Sequence, residues 1–112
     1  MIDSYKFGNI IVDGKRYNSD IIIFPDKIID NWIRKKGHKL NPEDISTTIR
    51  YNPDLLIIGK GFYGFMKIPS ETKEVLKSNN IDFLSLKTKK ACRKFNEISK
   101  EIDVVAAIHI TC

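Results

Sequence analysis

From residue 55 onward the chain alternates between two periodicities, and this constrains its fold more than any other feature. Leu55-Leu56-Ile57-Ile58 is an apolar run, Ser70 caps a short helical segment over Glu71 to Ser78, and Ile81 to Leu86 is a second strand-like run. Thr88 then caps a helical segment over Lys89 to Lys100, with Ala91, Cys92, Phe95 and Ile98 on one face, before Val104 to Ile110. Strand, helix, strand, helix, strand is a βαβαβ pattern, which folds as parallel crossovers. The last run, Val104-Val105-Ala106-Ala107-Ile108-His109-Ile110, is apolar on both faces and so predicts a central strand. At 112 residues, 42% hydrophobic and 29% charged, the chain fits one α/β domain over residues 1–112 with an ordinary core.

The first third reads as a β-meander. Tyr5 to Val12 predicts one strand, Asp13-Gly14 a tight hairpin turn, and Lys15 to Tyr17 the return. Asp20 to Phe24 predicts a third strand, and Lys27 to Trp32 a fourth, peripheral one after the Pro25-Asp26 turn. A helix follows. Asn41 suits its N-cap, Pro42 its first position, and Leu40 and Ile45 the two staple positions, while the helix stops near Tyr51-Asn52-Pro53.

The loop after Ile58 carries Gly59-x-Gly61-x-x-Gly64. Glycines at a strand end let the backbone approach a ligand or a neighbouring segment closely. The spacing matches a dinucleotide fingerprint, but Phe65 to Pro69 intervene before the helix, whereas a true fingerprint opens the helix directly. Two readings remain: tight packing around Phe62, Tyr63 and Phe65, or a ligand pocket formed by Gly59, Gly61 and Gly64.

The other candidates are single residues. Lys87, Lys89, Lys90 and Arg93 crowd the helix start at Thr88, where a bound anion would relieve their conflict with the helix dipole. Arg34-Lys35-Lys36-Gly37-His38-Lys39 is a basic loop suited to an anion or a partner, and Trp32 suits either the core or an interface. Asp20, at the mouth of an apolar strand, either caps the Asn18-Ser19 turn or is buried against a cation such as Arg34. His109 is the best general base by residue type, yet no nucleophile or orienting partner for it is legible. His109 and Cys112 resemble half a metal site, but they have opposite strand parity and no second pair, so no metal is expected.

The net charge of +5 comes from lysines interspersed with acidic residues, a solvated surface rather than a nucleic-acid interface. No apolar run reaches the roughly 20 residues of a membrane helix. The N-terminus has no apolar signal region and no Arg-rich presequence, and Cys92 and Cys112 are too few for a disulfide framework, so the expected compartment is the cytoplasm.

Taken together, Phe7-Gly8, Asp13-Gly14, Tyr17, Ser19-Asp20-Ile21, Trp32, Arg34, Gly37-His38, Pro53-Asp54-Leu55 through Gly64, Thr88-x-x-Ala91, Phe95-Asn96 and Val105-Ala106-Ala107-x-His109-x-Thr111-Cys112 resemble a family. It is the small α/β family of unknown function found in archaea and bacteria. Its eukaryotic relatives include an assembly factor for mitochondrial respiratory complex I and an adipogenesis-associated protein. The resemblance covers nearly the whole chain. It implies a three-layer α/β domain with a mixed central sheet and no established catalytic activity; no cofactor is expected. It attaches no catalytic role to the glycine motif, Asp20 or His109.

Two functions follow as expectations. The first is a non-catalytic interaction or assembly module with a protein partner, presenting a contiguous exposed apolar patch near Trp32, the Arg34–Lys39 loop and the lysine face. The second is a protein or enzyme for a small anionic ligand, with Asp20, Arg34, Gly59, Gly61, Gly64, Thr88 and His109 converging on a crevice at the strand ends. Without a nucleophile–base pair the reading leans away from an enzyme.

Overall fold

The computed structural model describes residues 1–112. In chain order its elements are β1 (Ile2–Lys6), β2 (Asn9–Val12), β3 (Lys15–Tyr17), β4 (Ile21–Ile23), β5 (Ile28–Ile29), a 3₁₀ turn (Pro42–Ile45) leading into α1 (Ser46–Tyr51), β6 (Leu55–Lys60), α2 (Ser70–Ser78), β7 (Asp82–Leu86), α3 (Thr88–Ile98) and β8 (Val104–His109). Five strands form one sheet in the order β5-β4-β8-β6-β7, and β1, β2 and β3 form a separate antiparallel sheet.

The doubly apolar run becomes the central strand. All six residues of β8 are buried. It runs parallel to β6 and antiparallel to β4, so the sheet is mixed. Alternate residues feed two cores, as strand periodicity requires. Ile21, Ile23, Ile57, Ala106 and Ile108 meet Ala91, Cys92 and Phe95 of α3 together with Ile10, Val12 and Tyr17 of the small sheet. On the opposite face Ile22, Leu56, Ile58, Val105 and Ala107 meet Trp32, Leu40, Ile45, Met66 and Leu76. The result is three layers: the small sheet with α3, the five-stranded sheet, and α1 with α2.

The N-terminal expectations need correction. Tyr5 to Val12 is not one strand. The chain reverses at Phe7-Gly8, where Gly8 takes φ +84°, and β1 and β2 pair as a hairpin with Lys6 opposite Asn9. The Asp13-Gly14 turn forms as expected, with φ +47° and +80° at its two residues. The meander stops at β3. β4 leaves it and pairs with β8, placing Ile22 opposite Ala107. β5 ends at Ile29 and not at Trp32, and Asn31 at φ +51° turns the chain inward.

Two of the three helix starts are shifted too, while the first keeps its expected cap. Asn41 holds an extended N-cap conformation and its N–H donates to Asp44 Oδ2 at 2.8 Å, while Leu40 and Ile45 are both fully buried. Ser70 and Thr88 are not caps. Each is the first helical residue, and Pro69 and Lys87 stand at the cap positions. α3 ends at Ile98, short of Lys100.

Candidate functional site

The carboxyl ends of β6 and β8 lie side by side, with Lys60 in register with His109. β4 is antiparallel to β8, so Asp20, just before it, reaches the same end. Three predicted residues meet there. Asp20 Oδ2 accepts from Arg34 Nη1 at 2.8 Å and lies 2.8 Å from His109 Nδ1, while Asp20 Oδ1 accepts the Ile110 N–H at 2.7 Å. The side chains of Arg34, Asp20 and His109 are only 4%, 15% and 6% exposed.

Asp20 therefore does not cap the Asn18-Ser19 turn; that turn is held by Ser19 Oγ, which donates to Asp30 at 2.6 Å. Burial pushes the Asp20 carboxyl up, but the hydrogen bonds from His109, Ile110 and Arg34 together outweigh it and leave its pKa below the usual value. Arg34 Nη2 also stands 3.0 Å from Nδ1 and donates to Gly37 O at 2.9 Å. An ionised carboxylate only accepts and a guanidinium only donates, so the short contact to Asp20 assigns the ring proton to Nδ1. The orienting partner of His109 is thus Asp20, which the sequence reading did not find. Nε2 is buried and without a hydrogen-bond partner. The His38 ring packs beside it, with centroids 6.2 Å apart.

The glycine loop seals this end. Thr88 Oγ1 donates to His109 O at 2.6 Å and accepts the Gly61 N–H at 2.9 Å. Phe62 N–H donates to Thr111 O at 2.8 Å and Thr88 N–H to Gly61 O at 3.1 Å. A Cβ on Gly61, at φ +98°, would lie 2.7 Å from Thr111 O and 2.8 Å from His109 Cδ2; one on Gly59 would lie 2.9 Å from Thr88 Oγ1. The glycines thus permit close contact between β6, α3 and the segment after β8. Asp20, Arg34, His109, Gly59, Gly61 and Thr88 do converge. Gly64 stands apart, against the Lys87 side chain.

The aromatic residues of the loop point outward, contrary to the packing expected around them. Phe62, Tyr63 and Phe65 are 44%, 52% and 57% exposed, and Phe7 from the β1–β2 turn is 49% exposed beside them. Their rings touch in sequence: Phe7–Phe62 at 5.7 Å, Phe62–Tyr63 at 5.1 Å and Tyr63–Phe65 at 5.4 Å. Tyr5 lies beneath, its ring 6.5 Å from Phe62 and its hydroxyl donating to Ile110 O at 3.0 Å; burial pushes its pKa up to about 12. An exposed apolar patch therefore exists, but not at Trp32. That residue is 7% exposed in the core, its Nε1 donating to Asp44 O at 2.8 Å. The basic loop is likewise divided, with the Arg34 side chain turned in and its remaining cations exposed.

Beside the aromatic patch is a shallow depression of about 470 Å³ lined by Lys60, Gly64, Phe65, Lys67, Lys73 and Ser85 among others. A larger groove of about 710 Å³ lies at the opposite end of the sheet, near Tyr17, Phe95 and Val104, and holds none of the predicted residues. No group of three or more His, Cys, Asp or Glu side chains is placed to hold a metal ion, and both cysteines are free. No helix is long and apolar enough to cross a membrane.

Sequence reasoning missed two things here. The aromatic patch had a readable signal, since Phe62 and Tyr63 sit between two glycines that turn the backbone. The pairing of Asp20 with His109 had none, because the antiparallel match of β4 with β8 is a long-range choice.

Known structures share this architecture. The conserved hypothetical protein PH1505 from Pyrococcus horikoshii OT3 superposes with a TM-score of 0.85 at 28% identity, covering 100% of this chain and 99% of that one. A protein described as an outer membrane protein from Bartonella henselae gives 0.85 at 25% identity, over 99% and 94% of the two chains. A Bordetella pertussis protein described as a Mth938-like domain gives 0.70 at 17% identity over 98% and 85%, which shows the fold alone. The family described as "Protein of unknown function (DUF498/DUF598)" matches residues 2–110, and the chain belongs to that family.

Proposed function

We propose that this domain is a non-catalytic interaction module that docks a partner protein on the aromatic patch of Phe7, Phe62, Tyr63 and Phe65. The observation that carries the reading is four neighbouring aromatic rings, each 44–57% exposed, three of them on a loop pinned by backbone hydrogen bonds and the fourth, Phe7, on the adjoining β1–β2 turn. Large apolar side chains gathered at one surface are characteristic of binding sites. A loop fixed before binding loses little conformational freedom on association, which favours affinity. The chemistry beside it supports the same reading: His109 Nε2 is buried and has no hydrogen-bond partner, so it is not presented to a substrate at the surface. Two free cysteines suit a reducing compartment such as the cytoplasm.

The test is affinity capture from the source cell's lysate with the wild-type domain and with a Phe62→Ser, Tyr63→Ser, Phe65→Ser variant. The variant keeps its circular dichroism spectrum and its stability within about 1 kcal/mol, since the replaced side chains are largely exposed. A protein captured by the wild type and lost with the variant supports the reading. Equal capture by both overturns it.

A further inference from the structure

We infer that the segment docking on the aromatic patch is acidic, its carboxylates seated among Lys60, Lys67 and Lys73 while an adjoining apolar side chain covers Phe65 and its neighbours. The inference rests on the docking reading above and names the chemistry of the partner. The depression and the patch adjoin, since Phe65 belongs to both. The depression's volume of about 470 Å³ falls within the roughly 300–1,000 Å³ of ligand sites.

Its lysines come from three separate parts of the fold. Lys60 ends β6, and Lys73 lies on α2. Lys67 sits in a short stretch whose N–H donates to His38 O at 2.8 Å and whose carbonyl accepts from Leu40 at 2.9 Å. No acidic residue lines the depression. The ion pairs of the molecule lie elsewhere, at Met1–Asp13, Arg34–Asp20, His109–Asp20, Lys35–Glu43 and Lys94–Glu97. The depression thus offers three cations and no lining carboxylate, and carboxylates from a partner complement that charge.

Shape separates an acidic peptide from the other polyanions. Phe7–Phe62 and Phe62–Tyr63 meet edge to face, at 70° and 81°, and Tyr63 and Phe65 stack on each other at 26°, so the rings are packed together rather than splayed as separate platforms for successive bases. The lysines line a depression, which a side chain enters and a flat lipid surface does not. Aromatic anchors within a polar rim are also the usual anatomy of protein interfaces.

The experiment selects a phage-displayed library of short random peptides against the wild-type domain. The strongest binders are then measured by fluorescence anisotropy against wild type, Phe62→Ser, and Lys67→Glu/Lys73→Glu, both lysines being exposed. The expected binders carry Asp or Glu next to an aromatic or leucine residue, weaken with added salt, and lose about tenfold or more in affinity on the lysine reversal. Neutral or basic binders that depend on Phe62 but ignore the lysine reversal overturn the acidic partner and leave the aromatic docking site standing. Binders indifferent to Phe62→Ser, or no binders at all, overturn both. Inorganic phosphate, single-stranded poly-dT and phosphatidylserine vesicles run alongside. Lysine-dependent binding of one of these, with no peptide selected, also overturns the inference.

Discussion

Asp20 is the residue on which the sealed strand end depends. Its carboxylate is the counter-charge for Arg34, the hydrogen-bond partner of His109 and the acceptor for Ile110. Asp20→Asn strands a buried guanidinium, and denaturant unfolding should show a loss on the order of 3–5 kcal/mol. The same residue sets a pH dependence. Its folded pKa is depressed, so the unfolded chain binds the proton more readily, and the stability it contributes is present above the unfolded pKa and lost as pH falls through the folded one. Wild-type stability should therefore decline in the acid range below about pH 4, and the decline should be shallower in Asp20→Asn. Gly61 is the second such residue. Valine there meets both a positive φ and the Thr111 carbonyl, and should cost at least about 2 kcal/mol by the same measurement. Cys92 marks the contrast between core and surface. Burial raises its thiol to about 12, so a disulfide reagent should modify exposed Cys112 at once and Cys92 only as the domain unfolds.

Among the elements, α3 is joined to both neighbouring strands by one hydroxyl. Thr88 Oγ1 bonds the Gly61 N–H after β6 and the His109 carbonyl at the end of β8. Thr88→Val keeps the shape and leaves both groups buried and unpaired, which should cost on the order of 2–4 kcal/mol. Hydrogen exchange at the Gly61 amide should accelerate further than at amides in the middle of β8. This residue also shows where sequence reading stops. A threonine before a helical pattern has the same local signature whether it caps its own helix or reaches across to a strand; only tertiary packing separates the two. The strands divide in the same way. β8 was legible because a strand buried on both faces must be apolar at every position, and the strand–helix alternation before it dictated its parallel pairing with β6. The break at Gly8 was missed because Phe7 and Asn9 continue a plausible strand pattern. The departure of β4 from the meander was missed because Ile21–Ile23 would suit either sheet.

For the molecule as a whole, the position of β8 carries a consequence for biosynthesis. It is the centre of the sheet and the last element in chain order, supplying Val104, Ala106 and Ile108 to one core and Val105 and Ala107 to the other. During translation β4 and β6 emerge without the strand that separates and joins them, and each carries isoleucines on both faces. Neither core can close until β8 has left the ribosome, so the nascent domain spends most of its synthesis as an open, aggregation-prone chain. Chaperones that shield unpaired strands should therefore hold it until that final segment appears, and a ribosome stalled before Val104 should display a protease-sensitive polypeptide.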